Sequence, residues 1–220
     1  MKPVGGKSER TRSAVRAAAA ACFADSGFQA ATTAEIARRA GVSEGTVFVH
    51  YASKLGLLTA VTVDFYEAIQ QRGATVVADS EATPTERLRR LVHDWCEVMT
   101  REWPLVQVFI HTAQAFPGTE LATVVIESNR QYTRLYAAVI DEMKAAGEMD
   151  PALPTALVRD MIFGTLEHSA RGQMYAGRTV HTAGVGRQIV DLVIGTGKAS
   201  DNRLATIESK IDRLLELQDR

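Results

Sequence analysis

The sequence has little cysteine and no long uninterrupted run of apolar residues. No 18 consecutive apolar residues occur, and the alanine-rich stretch at 17–21 is too short to span a bilayer. The N-terminus, MKPVGGKSER, lacks the apolar core of a secretory signal. The two cysteines, Cys22 and Cys96, are isolated thiols typical of small core residues, with redox sensing as the alternative. We therefore predict a cytoplasmic protein with no membrane partner.

The sequence also lacks the patterns of a catalytic or metal site. It contains no HExxH motif, no Cys/His pair at metal-ligand spacing and no phosphate-binding loop. The nearest cluster is His93, Asp94, Cys96 and Glu97, whose members do not all share one helical face. We therefore expect no enzymatic activity, no catalytic residues, no metal and no cofactor.

Charge is distributed unevenly along the chain, although the formal net charge is only −1. Residues 1–56 contain eight Lys or Arg and four acidic residues, for a net charge of +4, and the remainder carries −5. A basic N-terminal quarter on an acidic body is expected when one end of a protein meets phosphate.

The stretch 32–58 has the pattern of two short helices, a tight turn and the start of a third helix. Thr32 and Glu35 are spaced as a capping box at the start of the first helix. Gly41 is placed to end that helix in the left-handed conformation, and Ser43 can cap the second. This pattern predicts a helix-turn-helix, whose second helix enters the major groove of DNA.

The second helix, predicted over 44–50, has small and apolar side chains suited to a close approach to DNA. Bases would be read by Thr46, by apolar contacts with thymine methyls and by Glu44 to cytosine. Other polar side chains suit phosphates, which position a protein without reading sequence. The predicted DNA-contacting residues are Thr33, His50, Tyr51 and Lys54 for phosphates, with Ser43, Glu44, Gly45, Thr46, Val47 and Phe48 at the reading helix.

The segment AATTAEIARRAGVSEGTVFVHYASKLGLL resembles the DNA-binding signature of the TetR/AcrR family of bacterial one-component repressors. The resemblance covers 10–58 and is specific, because the TT, IA, AGVS, GT, aromatic-x-H-aromatic and SK elements occur in order at fixed spacing. Phe48 stands where the family usually has tyrosine, which removes one phenolic phosphate contact. Tyr51 stands where phenylalanine is commoner, and Gly56 where a better helix former is usual.

The resemblance and the helical periodicity together predict an all-α protein. We expect an N-terminal three-helix helix-turn-helix DNA-binding domain at 1–56, a helical ligand-binding and dimerisation domain at 57–200, and an additional C-terminal amphipathic helix at 201–220. No alternating run bounded by hairpin turns is present, and Pro, Gly and short polar stretches separate the helical patterns. Besides the two short helices, helices are predicted at 8–26, 54–78, 85–100, 104–115, 119–146, 154–176 and 182–196.

The helices at 154–176 and 182–196 are the expected dimerisation surface. In the family resembled, the last two long helices pair with their copies in a four-helix interface. One recognition helix reads only a few base pairs, so DNA recognition independently favours a two-fold homodimer on a palindrome. Some of these apolar positions alternatively serve the core of the protomer. The predicted interface residues are Met161, Ile162, Leu166, Val185, Ile189, Leu192 and Val193.

Aromatic and methionine side chains are frequent on the helices that surround a ligand cavity in the family resembled. Such side chains line apolar pockets, but any helical core contains them too. The segment FGTLEH at 163–168 is similar to stretches in fatty-acid-responsive members, so the expected effector is a fatty-acid-like or other apolar compound. The predicted pocket residues are Trp95, Met99, Trp103, Phe109, His111, Phe116, Tyr132, Tyr136, Phe163 and Glu167.

The predicted function is that of a transcriptional regulator that binds palindromic double-stranded operator DNA as a homodimer and is released by a small effector. Repression is favoured, and activation stays open because the direction depends on where the operator lies relative to a promoter. A DNA-binding protein without an effector is the remaining alternative. The tail at 203–220 has heptad spacing and would pack on its own subunit or on the partner.

Overall fold

The computed structural model describes residues 5–195, which contain eight helices and no strand. The predicted all-α class is therefore confirmed. The predicted C-terminal helix at 201–220 lies outside the described residues. In chain order the helices are α1 (Gly5–Ala30), α2 (Thr33–Ala40), α3 (Glu44–His50), α4 (Lys54–Val77), α5 (Pro84–Ala115), α6 (Glu120–Ala145), α7 (Thr155–Tyr175) and α8 (183–195).

The chain divides into two compact units. The first unit runs to Arg72 and also includes Arg101–Tyr132. The second contains Gly73–Thr100 and the described residues from Thr133 onward. Each unit is therefore built from discontinuous segments, and the predicted division at 56/57 stays a prediction.

The first helix extends beyond its predicted range of 8–26. Gly27 adopts φ 74° and ψ 173°, which interrupts the helical geometry, and a further turn follows it to Ala30. Glycine tolerates this positive φ without the penalty of a side chain. The inward face of α1 buries Val15, Cys22 and Phe23.

The predicted break between helices at 85–100 and 104–115 is wrong, because α5 runs continuously from Pro84 to Ala115. Proline inside a helix loses one backbone hydrogen bond and crowds the carbonyl one turn earlier. Here Pro104 lies between Trp103 and Leu105, both buried, and the apolar stripe continues to Phe109. The burial of this stripe on both sides of Pro104 stabilises the helix enough to offset the local penalty.

The two cysteines are core residues, as their isolated positions predicted. Cys22 and Cys96 are buried free thiols. Burial raises the pKa of both thiols, which keeps them protonated near neutral pH.

Candidate nucleic-acid interface

The predicted helix-turn-helix forms from local capping interactions. The side chain of Thr32 accepts a hydrogen bond from the backbone N–H of Glu35 at 3.2 Å, which starts α2. Gly41 ends α2 in the left-handed conformation with φ 68°. The Ser43 hydroxyl then accepts from the backbone N–H of Thr46 at 3.1 Å and starts α3. These predicted helix boundaries are confirmed.

Only half of the predicted capping box forms at α2. The Glu35 carboxylate does not return to the helix start but accepts hydrogen bonds from Arg38 and Arg39, at 2.7 and 2.8 Å. Two guanidinium groups bind a carboxylate more strongly than one neutral backbone N–H. Their hydrogen bonds lower the pKa of Glu35 to about 2. Because Arg39 also pairs with Asp25, at 2.7 Å, the end of α2 is joined to α1.

Helix α3 has one buried face and one exposed face. Val47 was predicted to contact DNA, but its side chain is only 1% exposed and packs into the first unit, so it is buried beneath the surface of α3 that could meet DNA. Val49, by contrast, is 81% exposed, and Phe48 is 50% exposed. We call the exposed residues Glu44, Gly45, Phe48 and Val49 the α3 outer face.

Two predicted DNA contacts already bind each other. The Thr33 hydroxyl donates a hydrogen bond to the Glu44 carboxylate at 2.5 Å, which ties the first residue of α2 to the first residue of α3. Thr46 and Ser43 are similarly linked through their hydroxyl groups, at 2.8 Å. These pairs fix the angle at which α3 leaves the turn.

Two arginines of α1 reach the end of α3, and the sequence did not single them out. Arg12 Nε donates to His50 Nδ1 at 3.4 Å, and Arg16 donates to the Tyr51 hydroxyl at 3.4 Å. Arg16 also forms an ion pair with Asp64 of α4 at 2.5 Å. The spacing of four residues between the two arginines places both on one side of α1, which was the available signal.

Lys54 has structural partners in addition to its predicted phosphate contact. Its Nζ donates to the carbonyl oxygens of Gln29 and Ala31, at 3.2 and 3.0 Å. The same group lies 4.6 Å from the centre of the Phe28 ring. An ammonium group has three donors, so one remains after these two hydrogen bonds.

The predicted pocket residues are divided between the two units. Trp103, Phe109 and Tyr132 are buried in the first unit, whereas His111 and Phe116 of the same unit are exposed. Phe109 packs against Phe65, with ring centres 5.3 Å apart. Within residues 5–195, the buried Nε1–H of Trp103 has no hydrogen-bond partner.

The pocket residues of the second unit form an aromatic cluster. The Phe163 ring lies 5.9 Å from Trp95 and 4.8 Å from Tyr136. The Tyr136 hydroxyl donates to the Leu91 carbonyl at 2.7 Å, so its polar end is satisfied. Met99 is buried in the same unit. Glu167 is half-buried, and the loss of solvent raises the pKa of its carboxyl group.

The predicted dimer residues separate into core and surface. Ile162, Leu166, Ile189 and Val193 are buried within the second unit and stabilise the protomer itself. Val185 is half-buried, and Met161 and Leu192 are exposed. Leu157 and Tyr175 are also exposed apolar residues of α7, and their helical spacing from Met161 was the signal that could have identified them.

The side chains of residues 5–195 show no arrangement that would hold a metal ion, since no group of three or more His, Cys, Asp or Glu converges there. No single described helix is long and apolar enough to cross a membrane. Helices α3 and α4 reach that length and apolarity only as a pair, which is bent by 67°.

Comparison with known proteins gives a consistent result over most of the chain. The HTH-type transcriptional repressor KstR2 of Mycobacterium tuberculosis is 28% identical over 195 residues, which cover 89% of this chain and 96% of that protein. The Fatty acid metabolism regulator protein of Bacillus subtilis is 22% identical over 180 residues, or 80% of this chain and 90% of the relative. The structure of FadR from Bacillus subtilis in complex with stearoyl-CoA is similar in fold, with a TM-score of 0.70 at 20% identity over 83% of this chain and 97% of that one.

Two family models match successive parts of the chain. The model described as "Bacterial regulatory proteins, tetR family" matches residues 15–61 and contains α2 and α3. The model described as "Tetracyclin repressor-like, C-terminal domain" matches residues 81–195, more than half of the chain. The chain therefore belongs to the TetR family of bacterial transcriptional regulators, which bind DNA through a helix-turn-helix and are not enzymes.

Proposed function

We propose that this protein is a transcriptional repressor that binds a palindromic operator as a homodimer and is released by an apolar acyl thioester. The observation that carries the proposal is the α3 outer face, where apolar side chains are exposed on a short, rigidly capped helix. Exposed valine and phenylalanine side chains are costly in water and are suited to thymine methyl groups in the major groove.

The base contacts come from the α3 outer face and from the neighbouring Thr46, and the phosphate contacts come from the residues around them. Val49 contacts thymine methyls, and the Thr46 hydroxyl contacts a base edge. His50 and Tyr51 contact phosphates and are held in place by Arg12 and Arg16. The guanidinium groups also add positive charge next to the phosphate backbone.

The dimer is needed because α3 is only seven residues long. One such helix reads a few base pairs, and two copies related by a two-fold axis read a palindrome. The exposed apolar residues of α7 and α8 support this assembly, since a dimer would remove them from water. They are Leu157, Met161, Tyr175 and Leu192.

The effector class is supported by the relatives and by a buried polar atom. Two relatives are named for fatty acid metabolism and ketosteroid regulation, and the FadR structure contains stearoyl-CoA. In this chain, the buried Trp103 Nε1–H lacks an acceptor within residues 5–195. A carbonyl oxygen of a bound thioester would satisfy this donor, while buried aromatic side chains contact the acyl chain.

The mechanism is a coupled equilibrium. The DNA-bound dimer holds its two α3 helices about 34–36 Å apart, one helical turn of DNA. An effector that prefers another separation must weaken DNA binding by the same factor by which DNA weakens effector binding. Helix α4 is the proposed lever, because it begins at Lys54 beside the helix-turn-helix and continues to Val77.

Selection from random duplex DNA with the purified full-length protein tests the DNA part of the proposal. We expect enrichment of a palindrome with half-sites about one helical turn apart, bound by two protomers. A non-palindromic site bound by a single protomer contradicts the dimer.

Titration of stearoyl-CoA into the operator complex tests the effector class, with free coenzyme A as the control. If stearoyl-CoA releases the protein from the operator and free coenzyme A does not, the result supports an acyl thioester effector. Equal release by the two compounds contradicts this effector class.

A further inference from the structure

A pocket of about 230 Å³ lies within the second unit, between the first half of α5 and α8. We call it the α5–α8 pocket and define it by Arg89, Val92, His93, Cys96, Gly186 and Arg187. His93 and Cys96 belong to the cluster that the sequence singled out, and the two acidic members of that cluster are not among the described residues that line the pocket. Small-molecule sites usually measure about 300–1,000 Å³, so this pocket suits a molecule below drug size.

The floor of the pocket is apolar. Three of its lining side chains are no more than 2% exposed, namely Val92, Cys96 and Val190. Gly186 brings the backbone of α8 against this floor, because a Cβ atom there would lie 2.7 Å from the Cys96 sulfur. Burial raises the pKa of the Cys96 thiol, while the charges of Glu97 and Arg187 act on it in opposite directions. The floor therefore suits uncharged, apolar atoms, and a charged group would lie at the rim.

The rim of the pocket is basic. Arg89 and His93 lie one helical turn apart on α5, and Arg187 lies on α8. All three residues are exposed. The Arg89 guanidinium forms an ion pair with the Asp191 carboxylate at 2.6 Å, whereas Arg187 forms no ion pair within residues 5–195. One positive charge of the rim is therefore neutralised by an acid of the protein, and the other is not.

The rim and the floor together determine the chemical class of a ligand. A planar guanidinium group can donate two parallel hydrogen bonds to a carboxylate. The charge of Arg187 matches a single negative charge, and the His93 imidazole supplies a further N–H donor. The apolar floor suits a compact apolar body at the other end of the same molecule.

We propose that the α5–α8 pocket binds a small monocarboxylate with a compact apolar body. The carboxylate lies at the rim and accepts hydrogen bonds from Arg187 and His93, and the apolar body packs on Val92 and Val190. This site differs from the one proposed for the acyl thioester. Trp103 belongs to the first unit, whereas the described residues that line the pocket belong to the second.

Calorimetric titration of the full-length protein with sodium benzoate tests the proposal. Benzamide is the neutral control of nearly the same shape, and inorganic phosphate is the control for an anion without an apolar body. We expect benzoate to bind at least about tenfold more tightly than either control. Absence of benzoate binding, or equal binding of either control, overturns the proposal. The titration involves no DNA, so a failure of the proposed operator binding leaves this test intact.

NMR spectra of the full-length protein with labelled valine methyl groups locate the bound molecule. Benzoate should shift the methyl signals of Val92 and Val190, which line the pocket. The signals of Val15 and Val47, which are buried in the first unit, are the control and should stay unchanged. Shifts confined to valines outside the pocket overturn the assigned site.

Substitutions at the rim test the assigned charges. Arg187→Gln removes the charge without an ion pair and should weaken benzoate binding about tenfold. Asp191→Asn removes the acid that neutralises Arg89 and should strengthen binding, an effect that a merely structural role of Asp191 would not produce. Arg178→Gln, an exposed position of the second unit outside the pocket, is the control.

All three substituted positions are exposed, so the variants should keep the wild-type melting temperature to within a few degrees. Benzoate binding that survives Arg187→Gln unchanged overturns the proposal. Equal weakening by the control Arg178→Gln, or weaker binding after Asp191→Asn, overturns it as well.

Discussion

The Lys54 ammonium group donates a hydrogen bond to the carbonyl oxygen of Ala31 over 3.0 Å. With the second hydrogen bond to Gln29, this contact joins the first residue of α4 to the end of α1 and to the connection between α1 and α2. Lys54 therefore stabilises the helix-turn-helix internally, and it keeps one N–H for a phosphate. Its two roles can be separated by measurement.

Substitution Lys54→Met should affect both folding and DNA binding. Losing two hydrogen bonds from a charged donor should lower the free energy of unfolding by about 1–3 kcal/mol. Losing one phosphate contact should weaken binding to all DNA sequences and reduce the slope of log K against log salt by about 1. Urea denaturation and DNA titrations at several salt concentrations measure these effects. Arg10→Met, an exposed position on α1, should leave stability unchanged. An unaltered salt slope for Lys54→Met would mean that this side chain does not contact phosphate.

Gly186 allows α8 to approach α5 closely. A Cβ atom at this position would lie 2.7 Å from the Cys96 sulfur and 3.1 Å from Val92 Cγ1. Gly186→Ala should therefore destabilise the protein by about 1–3 kcal/mol in thermal or urea unfolding.

A neighbouring glycine provides the control for this prediction. Gly184 lies on the same helix, and an alanine Cβ there would meet no neighbouring atom within 4 Å. Gly184→Ala should therefore stabilise the helix by up to about 1 kcal/mol. In the Cys96→Ala background, the cost of Gly186→Ala should shrink, because the nearest atom is gone. The same cost in both backgrounds would show that the Cys96 contact is not its source.

Glu35 should make the helix-turn-helix less stable in acid. Arg38 and Arg39 lower the pKa of Glu35 to about 2, below its value in the unfolded chain. Its stabilising contribution is thus complete above the unfolded pKa, near 4.5, and is lost as the pH falls toward the folded pKa. Glu35→Gln should lower the melting temperature at pH 7, and its effect should diminish between about pH 5 and pH 3. A constant difference over that range would show that Glu35 does not titrate as the structure indicates.

Glu167 should have the opposite dependence on pH. Burial raises the pKa of its carboxyl group in the folded protein, so the charged form is disfavoured there. Stability is therefore lost as the pH rises through the interval between the unfolded and folded pKa values. Glu167→Gln should raise the melting temperature at pH 7 and leave it nearly unchanged at pH 4. Arg171 supplies the opposing attraction, and destabilisation by Glu167→Gln at pH 7 would mean that this attraction exceeds the cost of burial.

Features that depend only on neighbouring residues were the ones best predicted from the sequence. Thr32, Gly41 and Ser43 act within one turn of their own positions, and all three form the expected caps. The break predicted at Pro104 is wrong because the effect of proline as a helix breaker is local, whereas the burial that overrides it depends on residues distant in sequence.

What the sequence could not predict at the candidate site also depends on contacts between residues that are distant in sequence. The sequence could not separate Val47, which is buried, from Val49, which is exposed, because α3 is too short for its periodicity to define a face. The contacts of Arg12 with His50 and of Lys54 with Ala31 span 38 and 23 residues and became evident only in the folded chain. The sequence predicts Glu44 as a base contact, whereas its hydrogen bond to Thr33 depends on the angle between α2 and α3, which the sequence does not reveal.

The central claim is that the α3 outer face reads base sequence. Val49→Ala tests it most directly, because this side chain is 81% exposed and its loss should not alter folding. Fluorescence anisotropy at one salt concentration would compare wild type and variant on the selected palindrome and on a scrambled duplex of equal length. We predict that the variant loses about tenfold in affinity for the palindrome and nothing for the scrambled duplex. Equal losses on both duplexes, or no loss on either, would contradict the claim.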